Sequence, residues 1–288
     1  MRARLRSTLP RASDRLQLGT TGLQVSPFCI GITGSPDSVI QAYEMGINFF
    51  FVSADLHWPL YEQTRRGIAR LVEGSPSRRN EIVVAIVSYL DEPLFSALQF
   101  HEVLDVVPGL EHVDVMIAGA IANDYGFQKL RTLRDAKIRG HLGARAIGAS
   151  FHQRKYALVS DMYSMLDIHL VRYNTAHPGA RTDLFPYLQP QSFSLTFNFK
   201  SMMFQVPEQR FRELGLPASA WRPNSCDYYR FVLSDPALDG ILCSPQTPDE
   251  VKTLAQAMEQ KPLTQQEQEY MIWLSSTAFA PMAHAMAI

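Results

Sequence analysis

Short apolar runs alternate with amphipathic segments along most of the chain. The runs contain few polar residues, which is typical of parallel strands buried on both faces. Eight of them lie at 28–32, 47–52, 81–87, 113–118, 141–147, 167–171, 193–197 and 238–243. A helical or long connecting segment follows each one. This order predicts an α/β protein with a closed (β/α)8 TIM barrel rather than an open sheet.

The N-terminal part does not follow this alternation. Residues 1–15 contain five arginines and one aspartate, a composition that predicts a basic, flexible arm. Leu16–Val25 then has two apolar runs around Gly19-Thr20-Thr21-Gly22, which predicts a β-hairpin. No GxGxxG follows the first strand, so a doubly wound dinucleotide-binding domain is disfavoured. We expect one domain over 16–288.

Composition limits the classes of partner. The chain has 288 residues with 46% hydrophobic and 19% charged residues, which are globular values, and a formal net charge of −1. We therefore expect a small-molecule substrate, no nucleic acid and no membrane. Three scattered cysteines without a C-x-x-C predict reduced thiols and a cytoplasmic protein. Metal-ligand spacing is absent from the sequence, so no metal is expected, and the oligomeric state is not indicated.

The most informative stretch is Glu44–Arg70, where a polar turn follows the second strand. In strand–helix repeats such turns commonly bind ligands. The turn contains Asp55, His57 and Trp58. Our hypothesis is that His57 is a general acid/base assisted by Asp55, because imidazole titrates near neutral pH. The alternative is that Asp55 caps the turn while His57 and Trp58 pack the loop.

Several segments together resemble one family. They are Leu18–Ser26 (LGTTGLQVS), Gly46–Asp55 (GINFFFVSAD), Lys129–Ser150 (KLRTLRDAKIRGHLGARAIGAS), Val171–Asn174 (VRYN) and Asp239–Glu250 (DGILCSPQTPDE). In order and spacing, over roughly residues 16–260, they resemble the aldo-keto reductases. The resemblance implies a barrel whose N-terminal hairpin covers the bottom. It also implies reduction of carbonyls by NADPH, with a catalytic Asp, Tyr, Lys and His.

This catalytic tetrad is not retained. The resemblance places Val52 at the aspartate position, or Phe51 without a one-residue insertion. It places His57 at the tyrosine, Val87 at the lysine and Gly119 at the histidine. Hydride delivery builds alkoxide charge that must be neutralised as it forms. Ordinary carbonyl reduction is therefore expected to be compromised.

The positions that would hold the cofactor have also changed. Ser150 is followed by Phe151 where the family has Ser-Asn, and Leu170 stands at the glutamine that faces the nicotinamide. The late segment 243–250 has no arginine and carries two acids at its helix start, where they would repel a phosphate. Lys200 is the remaining basic residue at a phosphate position. We expect no cofactor, although NADPH binding is possible.

Polar residues after several strands predict a substrate site at one end of the barrel. Those assigned to substrate binding are Trp58, Tyr89, Asn123, Ser150, His152, Arg172, Tyr173, Asn174 and Lys200. Arg172 could bind a carboxylate bidentately or form a salt bridge with an aspartate. The alternative for Tyr173 and Asn174 is a structural role in holding their own loop. The alternative for His152 is that it is an ordinary residue at the start of a helix.

Three functions remain open at this stage. The first is an enzyme for redox-neutral chemistry (elimination, isomerisation or cyclisation) on a small carbonyl-containing or polar metabolite, with His57 as general acid/base. The second is an NADPH-dependent carbonyl oxidoreductase that uses His57 in place of the tyrosine. The third is a non-catalytic barrel that serves as a scaffold or binding protein. Fold alone does not choose between them.

Overall fold

The computed structural model describes residues 6–93, 97–189 and 193–283. Eight parallel strands form a closed barrel in the order β10-β3-β4-β5-β6-β7-β8-β9, which confirms the predicted fold class. The barrel strands are β3 (Phe28–Ile30), β4 (Phe49–Ser53), β5 (Val83–Ser88), β6 (Val115–Ile121), β7 (Ala146–Phe151), β8 (Ile168–Arg172), β9 (Leu195–Phe199) and β10 (Gly240–Cys243).

Helices surround the barrel. They are α1 (Pro36–Glu44), α2 (Glu62–Val72), α3 (Pro76–Glu81), α4 (Phe100–Val106), α5 (Asp124–Phe127), α6 (Lys129–Ile138), α7 (Arg154–Met162), α8 (Ala180–Asp183), α9 (Glu208–Glu213), α10 (Ser225–Leu233), α11 (Pro248–Ala257) and α12 (Gln265–Ala283). As the sequence predicts, Ser35 caps α1 through its hydroxyl. Within the described ranges no helix combines the length and apolar character needed to cross a membrane.

The hairpin of β1 (Leu16–Leu18) and β2 (Leu23–Val25) lies over the N-terminal ends of the barrel strands. Asn48, just before β4, donates from Nδ2 to the carbonyl of Gln24, and Arg145, just before β7, donates to the carbonyl of Thr21. These bonds close the bottom of the barrel as predicted. Of the predicted flexible arm, residues 1–5 lie outside the described residues. Leu9 and Ala12 in its remainder are buried in the core, so this part of the arm packs on the barrel.

The fifth barrel strand lies further along the chain than the sequence predicts. We expected it at 141–147, but a 3-10 turn occupies His141–Gly143 and β7 runs over Ala146–Phe151. The small residues after Ile147 resemble a turn in sequence. In the barrel they are needed for close packing, because a Cβ on Gly148 would lie 2.5 Å from Ile168 Cγ2 and 2.7 Å from Ile117 Cδ1.

A buried ion pair stabilises the bottom of the barrel. Arg79 and Asp114 are 1% and 2% exposed, and their side chains meet at 2.8 Å. Arg79 also donates to the carbonyls of Leu110, Ile82 and His112. The Asp114 carboxylate accepts in addition from the Val84 backbone N–H at 2.8 Å. Because almost every polar atom of the pair has a partner, the cost of desolvating the two charges is offset.

One buried histidine makes stability depend on pH. His169 lies on the outer face of β8, where its Nε2 is 2.7 Å from Ser160 Oγ. Burial lowers the pKa of His169 to about 4, against a smaller opposing effect of Asp161. The imidazole of His169 binds a proton more tightly in the unfolded chain than in the folded one. The stability that the neutral, buried His169 contributes is therefore complete above the unfolded pKa of about 6.5. It is lost as the pH falls from there towards 4.

We expect His169→Leu to flatten the loss of stability between these two pH values. The wild type should lose on the order of 3 kcal/mol across this window from His169 alone. Urea unfolding at a series of pH values measures the effect. The exposed His101, which contacts Asp105 on α4, provides the control variant His101→Leu. Equal pH dependence of His169→Leu and the wild type would contradict the assignment.

Candidate functional site

A cavity of about 730 Å³ opens at the C-terminal ends of the barrel strands. Strand ends from most of the barrel contribute to its wall, as expected for a ligand site in this fold. Much of the lining is apolar and includes Ile32, Leu170, Phe199 and Met202. The main polar side chains of the lining are His57, Tyr61, Tyr89, Ser150, His152 and Lys200.

Three of the four positions that the resemblance assigns to the tetrad hold Phe51, Val87 and Gly119, which have no polar side chain. Phe51 lines the cavity, so of the two alternatives for the aspartate position it is Phe51 that faces the site. The lysine position, Val87, is fully buried. At the histidine position, a Cβ on Gly119 would lie 2.4 Å from Tyr89 Cδ1. The Tyr89 ring therefore occupies the space that a side chain at position 119 would need.

Three groups able to transfer or share protons lie together on one wall. The rings of His57 and Tyr89 are 4.4 Å apart between centroids, and the hydroxyls of Tyr61 and Tyr89 lie close enough for each to affect the pKa of the other. Burial, and after it the charge of Asp55, raises the pKa of Tyr89 to about 12. Burial also raises the pKa of Tyr61 far above its usual range. Both phenols are thus protonated near neutral pH and able to donate hydrogen bonds.

Asp55 holds the wall in place instead of facing the cavity. Its Oδ2 accepts from Ser88 Oγ at 2.7 Å and from the backbone N–H groups of Tyr89 and Leu90 at 2.8 and 3.2 Å. These bonds fix the chain where β5 ends and so position the Tyr89 ring. Direct assistance of His57 by Asp55 finds no support in this arrangement, which agrees with the alternative that Asp55 caps a turn.

The opposite side of the mouth is cationic. Lys200 and His152 line the cavity. Arg172 lies two residues beyond Leu170, on the same face of β8. Burial, and after it the charge of Arg172, lowers the pKa of Lys200. Burial also lowers the pKa of His152, and Lys200 and Arg172 lower it further.

Besides Arg172, four residues predicted to bind substrate do not line the cavity. Trp58 is 44% exposed, and Arg65 lies 5.6 Å from its ring. Asn123 caps α5, because its Oδ1 accepts from the Gly126 N–H at 2.7 Å. Tyr173 is fully buried and stacks on Phe231.

The fourth, Asn174, is also fully buried and holds the loop after β8. Its Oδ1 accepts from the N–H groups of Ala176 and His177, and its Nδ2 donates to the carbonyl of Lys200. Tyr173 and Asn174 therefore follow the structural alternative, in which they hold their own loop. The prediction that either contacts substrate is not supported by these placements.

Sequence reasoning missed Tyr61. It is not among the predicted site residues, yet it is buried and lines the cavity beside Phe51, at 6.0 Å between ring centroids. The signal was present in the spacing. Tyr61 shares with the buried Thr64, Ile68 and Leu71 the i, i+3, i+7, i+10 pattern of one helix face. That pattern directs the phenol inwards.

Backbone strain accompanies the cationic side of the mouth. Lys200 has a φ of 62°, a left-handed conformation that costs a residue with a Cβ roughly 1–2 kcal/mol.

We expect Lys200→Gly to raise the free energy of unfolding by roughly 0.5–1 kcal/mol, because glycine relieves this strain but gives the unfolded chain more conformational freedom. Urea unfolding measures it. In contrast, Lys252→Gly inside α11 should lower stability by about 1 kcal/mol. A destabilised Lys200→Gly variant would contradict the expectation.

A second pocket of about 590 Å³ adjoins the first and shares Met202, Tyr229 and Ser244 with it. A dinucleotide would have to extend from one pocket into the other. The lining of the second pocket, however, contains Glu250 and no Lys, Arg or His. The Glu250 N–H at the start of α11 is already bonded to Thr247 Oγ1, and a phosphate there would meet the charges of Asp249 and Glu250.

The part of the first cavity that would hold the nicotinamide ring also lacks suitable polar groups. Ser150 Oγ accepts from the Ala120 N–H at 2.8 Å, and the neighbouring Phe151 and Leu170 are apolar. The residues present therefore do not fit NADPH, and we derive no step through it. Among the described residues there is also no cluster of three His, Cys, Asp or Glu side chains suited to a metal ion.

The sequence matches no protein-family model and no curated protein. Solved structures with a similar fold include aldo-keto reductases. One from Bacillus halodurans (holo form) is 18% identical with a TM-score of 0.68, over 91% of this chain and 96% of that one. The glycerol dehydrogenase of Gluconobacter oxydans is 13% identical with a TM-score of 0.66, over 93% and 96%.

A Bombyx mori aldo-keto reductase in complex with NADP is 18% identical with a TM-score of 0.65, over 91% of this chain and 92% of that one. At these identities the likeness concerns the fold. It confirms, at that level, the resemblance that the sequence motifs indicate.

Proposed function

We propose that this protein is a divergent enzyme of the aldo-keto reductase superfamily that carries out acid–base chemistry without hydride transfer on a small carbonyl-containing metabolite. The observation that carries the proposal is the wall of His57, Tyr61 and Tyr89 in the cavity at the barrel mouth. The tetrad positions beside it hold Phe51, Val87 and Gly119. A site that has lost its reductase groups but keeps an imidazole and two phenols is suited to moving protons.

The chemistry would proceed through an enol or enolate. His57 removes a proton from the carbon next to the substrate carbonyl, and the C–H electron pair moves towards the carbonyl oxygen. The Tyr61–Tyr89 pair donates a hydrogen bond to the oxygen as its negative charge grows. In isomerisation, the protonated His57 returns the proton to another atom of the enolate. In elimination, the enolate electrons re-form the carbonyl and make a carbon–carbon double bond as the bond to a leaving group on the next carbon breaks, and His57 gives the proton to that group.

Exchange with solvent deuterium tests the proposal before the substrate is known. The purified protein is incubated in D2O with a panel of small carbonyl compounds, including carboxylates and phosphate esters, without a nicotinamide. Mass spectrometry and NMR then detect deuterium incorporation and product. We expect exchange with at least one compound, and we expect it to be lost in the double variant Tyr61→Phe/Tyr89→Phe. Exchange with none of the compounds would overturn the proposal.

A second candidate is a carbonyl oxidoreductase that uses NADPH with His57 as proton donor. The observation in its favour is the joined shape of the two pockets, and a relative by fold is a complex with NADP. A ligand at 100 times its Kd stabilises a protein by about 2.7 kcal/mol. We expect no such stabilisation by NADPH, because the second pocket lacks cations. A clear rise of the melting temperature with NADPH would favour this candidate over the first.

A further inference from the structure

The cationic side of the mouth has an unusual charge balance. Arg172 lies close enough to lower the pKa of Lys200, and both cations lower the pKa of His152 and of His177. The cation that acts on Arg172 itself is Arg154. The neighbouring charges that act on each of them are other cations, and no carboxylate is among them. Burial is the largest effect on all four, and the added positive charge acts in the same direction, so the pKa of each group is lowered.

Neither Arg172 nor Lys200 forms a salt bridge with a described carboxylate, and the buried Nε of Arg172 has no hydrogen-bond partner. Several other half-buried or buried cations among the described residues are paired. Arg154 meets Asp183, and Lys129 meets Asp91 at 3.1 Å. Arg172, which is also half-buried, differs from these paired cations, whereas Lys200 is exposed at the edge of the cavity.

The backbone holds this arrangement in place at some cost. Lys200 is kept in its left-handed conformation, and Asn174 Nδ2 donates to its carbonyl at 3.0 Å. Ser201 beside it donates to Asn198 at the end of β9. Strain of this kind persists where the surrounding structure imposes it, commonly at ligand sites. The lysine is thus fixed at the edge of the cavity.

We infer that Arg172, Lys200 and His152 form a binding site for an oxyanion, the carboxylate or phosphate group of the substrate. Grouped positive charges with an unpaired guanidinium N–H repel one another until an anion neutralises them. Guanidinium has the planar donor geometry that both anions accept. The inference rests on the proposed function only in that the anion is part of the substrate on which His57 acts.

Isothermal titration with inorganic phosphate and with acetate tests the site without requiring an activity. We expect the wild type to bind one equivalent of at least one of these anions, and the stronger of the two identifies the class of group. Arg172→Gln and Lys200→Met should each weaken that binding about 10- to 100-fold, the effect of losing a charge-assisted hydrogen bond. The control Lys252→Met changes an exposed lysine paired with Asp249 and should bind as the wild type does.

Several outcomes would overturn the inference. The first is that neither anion binds to the wild type. The second is that Arg172→Gln and Lys200→Met both bind the anion with unchanged affinity. A third is that NADPH binds through Arg172 and Lys200 while neither small anion binds, which would assign the cations to a dinucleotide. Circular dichroism confirms folding of each variant, and Lys200→Gly is a second variant that keeps or raises stability while it removes the charge.

The failures of the two proposals are distinguishable. Solvent exchange with an uncharged carbonyl compound, together with no anion binding, would refute the anion site and leave the proposed chemistry standing. Anion binding that depends on Arg172 and Lys200, together with no exchange for any compound, would refute the chemistry and leave the site standing.

Discussion

Replacement of His57 by glutamine is expected to lower the rate of solvent exchange by about 10²- to 10⁴-fold, the usual contribution of a positioned general acid or base. Glutamine keeps a similar size and the ability to form hydrogen bonds, but it cannot carry a proton. Because the anion site is on the other side of the mouth, we expect the Michaelis constant to change little. Steady-state exchange rates at several substrate concentrations separate the two effects.

The neighbouring Trp58 supplies the control for this experiment. It belongs to the same exposed turn but does not line the cavity, so Trp58→Phe should keep the rate of the wild type. An unchanged rate in His57→Gln would show that the imidazole is only part of the loop.

At the other end of the barrel, Arg79→Met is expected to lower the free energy of unfolding by about 3 to 5 kcal/mol. The change leaves the buried carboxylate of Asp114 without its cation and removes the donor to the carbonyls of Leu110 and His112. Urea unfolding monitored by circular dichroism measures the loss. The exchange activity per folded molecule should remain that of the wild type, because the pair lies on the face opposite the cavity.

Two further variants test the physical reason. Arg70→Met removes an exposed pair with Asp37, whose side chains are 60% and 68% exposed, and should cost at most about 1 kcal/mol. The double variant Arg79→Met/Asp114→Leu removes both buried charges and should recover part of the stability lost in the single variant. A loss in Arg79→Met no larger than that in Arg70→Met would be inconsistent with the role assigned to the buried pair.

The sequence was sufficient for the barrel because most of the strands have a largely apolar run and a helical or long connecting segment follows each one. Its limits show at β7, where Gly148 is small because Ile168 and Ile117 crowd it. That crowding comes from two other strands, so the local sequence resembles a turn. Strand boundaries of this kind depend on neighbours that a single segment does not reveal.

The candidate site was predictable only in part. His57, Tyr89, Ser150, His152 and Lys200 were expected at the mouth, and the structure places all five in the lining of the cavity. What they do there stays a proposal. The loop residues were harder, because their direction depends on distant partners. Asn123 turns to cap its own helix, and Tyr173 packs in the core against Phe231.

The contact of the Tyr89 ring with Gly119 also restricts how this site can be altered. Introducing histidine at position 119 alone would drive its Cβ into an aromatic ring that Asp55 anchors through the backbone. Tyr89 would have to be replaced by a smaller residue in the same variant. Rebuilding a reductase site here therefore requires both substitutions together. A variant that carries only one of them is expected to be less stable or to have no reductase activity.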